Sequence, residues 1–171
     1  MKYDSQRVDT LLQNMQSELE AYMQKANITH PMMVGIHSAG VFVARRLHQA
    51  MAIDEPLGEL NSGFYRDDFS SNGLHAQLKP SNMPLSVEDR HIILVDDVLY
   101  TGRTIRAAMN ELFDYGRPAS IALAVLVDRG HRELPIEAQV VGVKHELGPD
   151  EYLQVLGSEK LEMSIIQREH D

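Results

Sequence analysis

His91-Ile92-Ile93-Leu94-Val95-Asp96-Asp97-Val98-Leu99-Tyr100-Thr101-Gly102-Arg103-Thr104 is the stretch on which the fold turns. Ile92 to Val95 form a short apolar run, the pattern of a strand buried on both faces of a sheet. The run meets two adjacent carboxylates, Asp96 and Asp97, at the expected strand end. A helix is predicted from near Gly102, with Ile105, Ala108, Met109, Leu112 and Phe113 on its inner face and Gly116 and Pro118 as stop signals. Strand, acidic turn and helix together make a βα unit.

The same grammar continues on either side. Val8, Leu11, Leu12, Met15, Leu19 and Tyr22 recur at steps of one, three and four, which predicts a helix from Ser5 to Met23 with Ser5 as its N-cap. Met32 to Ile36 reads as a buried strand, broken by His37-Ser38-Ala39-Gly40, and Val41 to Met51 as a second helix. Leu57 to Tyr65 reads as a further strand. Arg66 to Arg90, rich in Asp, Ser, Asn, Gly and Pro, reads as a long loop, and structureless loops beyond roughly 15 residues are often lids. Ile121 to Val127 and Ala138 to Val143 are further strands, and Tyr152 to Leu156 with Leu161 to Ile166 form a hairpin around Gly157-Ser158. Alternating β and α segments imply an α/β fold, a mainly parallel central sheet with helices on both faces and a small C-terminal β element. The 171 residues suit one domain, 1–171, with a lid loop at about 66–90.

Composition narrows the function. With 16 Lys and Arg against 25 Asp and Glu, the net charge of −9 rules out holding nucleic acid by bulk charge, so any RNA contact must be a local patch. The absence of cysteine excludes disulfides, thiolate metal sites and a cysteine nucleophile, and suits the cytoplasm. Met1 to Arg7 has no apolar signal-peptide core and no run approaches a membrane span, so no membrane association and no export are expected. Neither a Walker motif nor Gly-x-Gly-x-x-Gly is present, and the eight histidines show no metal-ligand spacing. His37 and His131 stand apart only because they lie in loops at strand ends.

In an open parallel sheet the ligand sits beyond the carboxyl ends of the strands, so the loops after Ile36, Val95 and Val127 should share one crevice. Thr101-Gly102-Arg103-Thr104 offers backbone N–H groups at a helix start and two hydroxyls, a site for a phosphate. Asp96 and Asp97 can accept hydrogen bonds from vicinal hydroxyls or hold a hydrated cation. Together they ask for a sugar phosphate. Arg129 and Arg132 read either as ion pairs with Asp128 and Glu133 or as anion ligands, and Arg45 with Arg46 as a solvated helix face.

Ile92 to Thr104 closely resembles the phosphoribosyl pyrophosphate (PRPP) signature of the type I phosphoribosyltransferases. Phe64-Tyr65-Arg66-Asp67-Asp68, Gly116-Arg117-Pro118 and Val127-Asp128-Arg129-Gly130-His131-Arg132-Glu133-Leu134-Pro135-Ile136 resemble the PyrR family, pyrimidine-operon regulators that double as uracil phosphoribosyltransferases. The resemblance covers most of the chain from Val34 to Gly142. It implies the type I phosphoribosyltransferase fold and a pentosyl transfer from PRPP to uracil, giving UMP and pyrophosphate, with Mg²⁺ held mainly by PRPP, near Asp96 and Asp97. It implies catalytic roles for Asp96, Asp97 and Arg66 and PRPP binding by His37, Ser38, Ala39, Gly40 and Asp96 to Thr104, including Val98, Leu99, Tyr100, Thr101, Gly102 and Arg103. Uracil is implied to lie at Arg129, Val141 and Gly142, pyrimidine-operon leader mRNA to be a possible partner, and the assembly to be a homodimer or larger homo-oligomer. Two positions depart from the family. Its pyrophosphate loop commonly reads Thr-Arg-Gly where this chain has Ser38-Ala39-Gly40, and its Lys-Asn-x-Pro-Thr-Ser segment is replaced by Val143-Lys144-His145-Glu146-Leu147-Gly148-Pro149-Asp150. An RNA-binding attenuator with little catalysis and a transferase for hypoxanthine or guanine are the alternative readings.

Overall fold

The structure, a computed structural model, describes residues 2–61 and 80–167. The elements run β1 (Lys2–Tyr3), α1 (Ser5–Lys25), β2 (Met32–Ile36), α2 (Ala39–Ala50), β3 (Gly58–Leu60), β4 (His91–Leu99), α3 (Arg103–Asp114), β5 (Ser120–Asp128), β6 (Val140–Lys144), β7 (Glu151–Leu156) and β8 (Glu162–Gln167). A five-stranded sheet has the order β3-β2-β4-β5-β6 with every pairing parallel, as the alternation of apolar runs and helices requires. From β2 the chain crosses over through α2 to β3, and from β4 it crosses through α3 towards the opposite edge. The topological switch point therefore lies between β2 and β4.

Side-chain alternation along the strands sorts the core into two layers. Met33, Ile93, Val95, Ala124 and Leu126 face α1 and α2 through Leu12, Met15, Leu19, Val43, Ala44 and Leu47. Met32, Val34, Ile92, Leu94, Leu123 and Val125 face α3 through Ile105, Ala108 and Leu112. Both faces of the sheet thus carry helices. A second sheet of three strands, β1-β8-β7, packs Tyr3, Leu161 and Met163 into the α1 layer.

Several boundaries differ from the sequence reading for identifiable reasons. Asp4, not Ser5, caps α1, because its carboxylate Oδ1 accepts from the Arg7 N–H three residues on at 2.9 Å. β4 does not stop at Val95. Its ladder with β5 continues to Leu99 opposite Asp128, so Asp96 and Asp97 are strand residues inside a hydrogen-bonded edge. β3 is shorter than the expected Leu57 to Tyr65, being Gly58–Leu60 within the described residues. β1, unseen in the sequence, adds two residues antiparallel to β8.

Only the end of the expected lid falls within the described residues. Residues 66–79, Arg66 among them, lie outside the described residues. The remainder, 80–90, is anchored rather than loose. Val87 is fully buried with Met83 and Leu85 beside it, and Asn82 exchanges two backbone hydrogen bonds with Glu59 at 2.7 and 2.8 Å. Ser81 accepts from the Asn61 N–H and donates to Glu111. Polar residues in that stretch disguised an apolar triplet at positions 83, 85 and 87.

Gly35 lets α2 lie against β2: a Cβ there would stand 2.8 Å from Val41 Cα and 2.9 Å from Ala44 Cβ. Gly35→Ala should therefore cost about 1 to 3 kcal/mol by overpacking. Thermal unfolding followed by circular dichroism should show Tm lower by roughly 2 to 4 °C for each kcal/mol.

Candidate active site at the sheet switch point

β2 leads into the segment His37 to Gly40, in which His37 and Ser38 are joined by a cis peptide bond and Ala39 and Gly40, expected before the helix, are already the first residues of α2. Its far end lies on β4. A Cβ on Gly40 would sit 2.7 Å from Asp96 Oδ1 and 2.9 Å from Asp96 Cα, so only glycine allows the helix start to approach the strand this closely. Asp96 and Asp97 are 1% and 8% exposed, deep for carboxylates, and Asp96 Oδ1 accepts from the Asp97 N–H at 2.9 Å. Such burial is costly without compensating hydrogen bonds, and nothing in sheet packing requires two adjacent acids here.

Beyond Leu99 the chain turns into α3 through Tyr100 to Gly102. Gly102 has φ 94°, the left-handed region, and its α-carbon faces Ile136 and Leu134, each 3.4 Å from where a Cβ would lie. Thr101 is buried. Its hydroxyl accepts from the Arg103 N–H, while its carbonyl accepts from the N–H groups of Glu133 and Leu134. Thr104 is buried in the first turn of α3. The turn is thus braced from behind, leaving the helix start, where first-turn N–H groups lack intrahelical acceptors, at the carboxyl end of β4.

The β5 end supplies a third wall. Arg129 stacks its guanidinium 3.8 Å from the centre of the Tyr100 ring, its N–H donates to Leu99 O, and its Nη2 donates to Glu151 O at 3.3 Å. Its Nε is buried with no hydrogen-bond partner among the described residues. Arg132 is spent internally: it donates to Tyr100 O, Ile136 O and the Asp128 carboxylate, the last at 2.6 Å. Burial pushes the Asp128 carboxyl up, but the Arg132 hydrogen bond, the Gly130 N–H and the Arg132 and Lys144 charges outweigh it and hold it below the ordinary 3.8.

The structure brings together His37 to Gly40, Asp96 to Thr104 and Arg129 around the switch point. Leu99 is a core side chain and Val98 packs against the core, so neither offers more than backbone there. Val141 and Gly142 lie inside β6, Val141 in register with Val125, and the end of β6 is instead Lys144, opposite Asp128. A Cβ on Gly142 would lie 2.6 Å from Leu126 O and 3.0 Å from Met15 Sδ, so that glycine answers helix packing. Sequence reasoning passed over Lys144 and Glu59. Glu59, on β3, accepts from His37 Nε2 at 2.8 Å and Arg45 Nη2 at 2.6 Å, and only the sheet order could have paired them. Of the arginines, Arg46 is tied to Asp9 and Glu159 O, Arg103 to Glu133, and Arg106 is exposed without an acidic partner among the described residues. Among the described residues no three His, Cys, Asp or Glu side chains form a metal cage, and no helix is long and apolar enough to cross a membrane. An open cleft of about 450 Å³ beside Met109, Ile121 and Pro135 lies on the α3 face, away from these residues.

Residues 7–157 match the family model described as phosphoribosyl transferase domain. The chain is 52% identical over 163 residues to a protein of Nitrosococcus oceani named Bifunctional protein PyrR, covering 94% of this chain and 92% of that one. It is 52% identical over 147 residues to a protein of the same name from Pseudomonas paraeruginosa, covering 86% of each. Among solved structures it is similar to a hypoxanthine-guanine phosphoribosyltransferase of Bacillus anthracis, with TM-score 0.65 and 16% identity over 85% of this chain and 83% of that chain. A hypoxanthine phosphoribosyltransferase of Trypanosoma cruzi matches with TM-score 0.66 and 17% identity over 88% and 82%. At such identities these structures speak for the fold.

The depressed Asp128 carboxyl has a pH consequence. A carboxyl held low in the folded state adds stability above its unfolded value, and that stability is lost as pH falls through the folded value. Asp128→Asn should therefore unfold more easily than wild type at neutral pH. The difference in chemical denaturation midpoints should shrink as pH is lowered below about 4, the unfolded aspartate range.

Proposed function

Because this chain belongs to the phosphoribosyltransferase family, and within it to the PyrR proteins, we propose that it transfers a phosphoribosyl group from PRPP to uracil, forming UMP and pyrophosphate. The observation that carries this reading is the convergence at one switch point of a buried carboxylate pair, a helix-start turn and the His37 to Gly40 loop. Each part suits one part of the donor. The helix start at Gly102 to Thr104 takes the 5′-phosphate on backbone N–H groups and the Thr104 hydroxyl. Asp96 and Asp97 accept from the ribose hydroxyls. The loop from His37 to Gly40 receives pyrophosphate.

In the reaction the C1′–O bond to pyrophosphate breaks, the bond from C1′ to the uracil nitrogen forms, and the nitrogen's proton passes to the departing pyrophosphate or to water. The ribose carries positive character on the way, and two carboxylates fixed in a buried strand stabilise it without reorganising. Holding the sugar by its hydroxyls and phosphate aligns C1′ with the base, which converts an encounter into a positioned displacement. The donor set, two acids with no third protein ligand among the described residues, fits a Mg²⁺ held mainly by PRPP oxygens with Asp96 and Asp97 alongside, and the ion would neutralise charge on the departing pyrophosphate. On the base side, the Arg129 guanidinium, its Nε buried with no partner among the described residues, is the donor proposed for a pyrimidine carbonyl oxygen, with Tyr100 stacked on it and Lys144 near it in the fold. We place this chemistry in the cytoplasm, carried by residues 1–171 as one domain working in a homodimer or larger homo-oligomer.

A second reading, RNA binding in response to uridine nucleotides, is favoured by the name its relatives carry, Bifunctional protein PyrR, and by the exposed Arg103, Arg106 and Arg117 along and after α3. Filter binding of pyrimidine-leader RNA with and without UMP tests it; retention that ignores UMP and vanishes with moderate salt would count against regulation.

Asp97→Asn should lower turnover of PRPP with uracil by about a hundredfold. Thr104→Ala should lower it by about tenfold or more, with unchanged circular dichroism. Full activity of both variants in a UMP-formation assay would sink the assignment.

A further inference from the structure

The pyrophosphate-facing loop of this chain contains neither lysine nor arginine: His37, Ser38, Ala39 and Gly40 are all it has. What it offers an anion is a set of backbone N–H groups and one hydroxyl, and such donors are worth most when held in place before the ligand arrives. The loop is held at both ends. Gly40 lies against Asp96. His37 is fastened to β3 twice, by its N–H donating to Leu60 O at 2.8 Å and by its ring Nε2 facing Glu59 Oε2 at 2.8 Å.

Glu59 is well placed to be a fixed point. Its backbone pairs in both directions with Asn82, and its other carboxylate oxygen takes Arg45 Nη2 of α2 at 2.6 Å. Burial raises its carboxyl, but the Arg45 hydrogen bond and charge, with His37 adding to both, outweigh that and hold it below the ordinary 4.5. It is therefore ionised at neutral pH and can only accept, so the His37 ring must donate from Nε2. We infer that Glu59, gripped by Arg45 and acting through the His37 ring, is a positioning residue that sets the pyrophosphate loop for the donor. The inference rests on the proposed phosphoribosyl transfer, in which this loop receives pyrophosphate.

Because Glu59 acts through His37, the two substitutions should not add. Calorimetric titrations with PRPP and Mg²⁺, and separately with UMP, should be run on wild type, His37→Gln, Glu59→Ala, Glu59→Gln and the His37→Gln/Glu59→Ala double variant. UMP has no pyrophosphate, so its binding reports the integrity of the rest of the site in each preparation. Each of the first two variants should bind PRPP about five- to tenfold more weakly, the double variant no more weakly than the worse of them, and Glu59→Gln should recover part of the loss, because its amide oxygen can still accept from Nε2 while its NH2 cannot accept from Arg45. UMP affinity should stay within about twofold throughout. In steady state KM for PRPP should rise more than kcat falls. Multiplying losses in the double variant, unchanged PRPP binding, or a parallel loss of UMP affinity would overturn the positioning role while leaving the transferase reading intact. Failure of the wild-type chain to bind either ligand would overturn that reading and this inference with it.

Discussion

The approach of Gly40 to Asp96 organises this molecule. Placing a helix start within 2.7 Å of a strand carboxylate, measured from where a side chain would begin, leaves no room for any residue but glycine. Gly35 on β2 does the same against Val41 and Ala44, so β2, α2 and β4 form a single tight contact at the point where the strand order reverses. The loop between the two glycines has little freedom, and the acids beneath it are withdrawn from bulk water. A crevice forms because the two crossovers leave in opposite directions, and its chemistry is concentrated because the glycines bring its walls together.

Charge distribution then explains how an acidic protein can handle a polyanion. The net charge is −9, and the crevice itself contains Asp96, Asp97, Glu59 and Asp128. Arg132, Arg45 and Arg103 are each engaged by an acid. Among the described residues, recognition of phosphates in the proposed reaction therefore falls mainly on backbone dipoles at the starts of α2 and α3. That arrangement suits a donor that arrives with its own divalent cation, since extra carboxylates then attract rather than repel the pair.

Most of the architecture was legible in the sequence because its signals are local. Apolar runs at Met32 to Ile36, Ile92 to Val95 and Ile121 to Val127 and the stripe from Val8 to Leu19 announce their elements directly. Errors arose where a tertiary partner decides the outcome. Asp96 and Asp97 look like a strand end, yet β5 carries the ladder past them. Lys2-Tyr3 become a strand only because β8 lies alongside. Positions 80–90 are loop, as they read, but Val87 reaches the core through partners the local sequence does not show. In the site, the acidic pair and the Thr101 to Thr104 turn carry their chemistry in contiguous residues, whereas Glu59 gains meaning only from the sheet order that sets β3 beside β2.

The base side of the crevice shows the same division between local and assembled features. Arg129 lies immediately after β5, but it is oriented by Tyr100 from the β4–α3 turn and by the Glu151 carbonyl of β7. Asp128 accepts the His145 N–H and is opposed by Lys144, so the segment from Lys144 to Glu151 closes this wall. That segment is where the chain departs from the pattern it otherwise resembles, while the carboxylates and helix-start turn follow it. In the proposed reaction the Arg129 guanidinium, whose Nε is buried without a partner among the described residues, is the donor for a base oxygen, and a base lacking one leaves it unpaired. In the proposed reaction donor binding and base choice thus fall to different parts of the sheet, the first to the glycine contacts between β2, α2 and β4, the second to the wall where the Glu151 carbonyl holds Arg129.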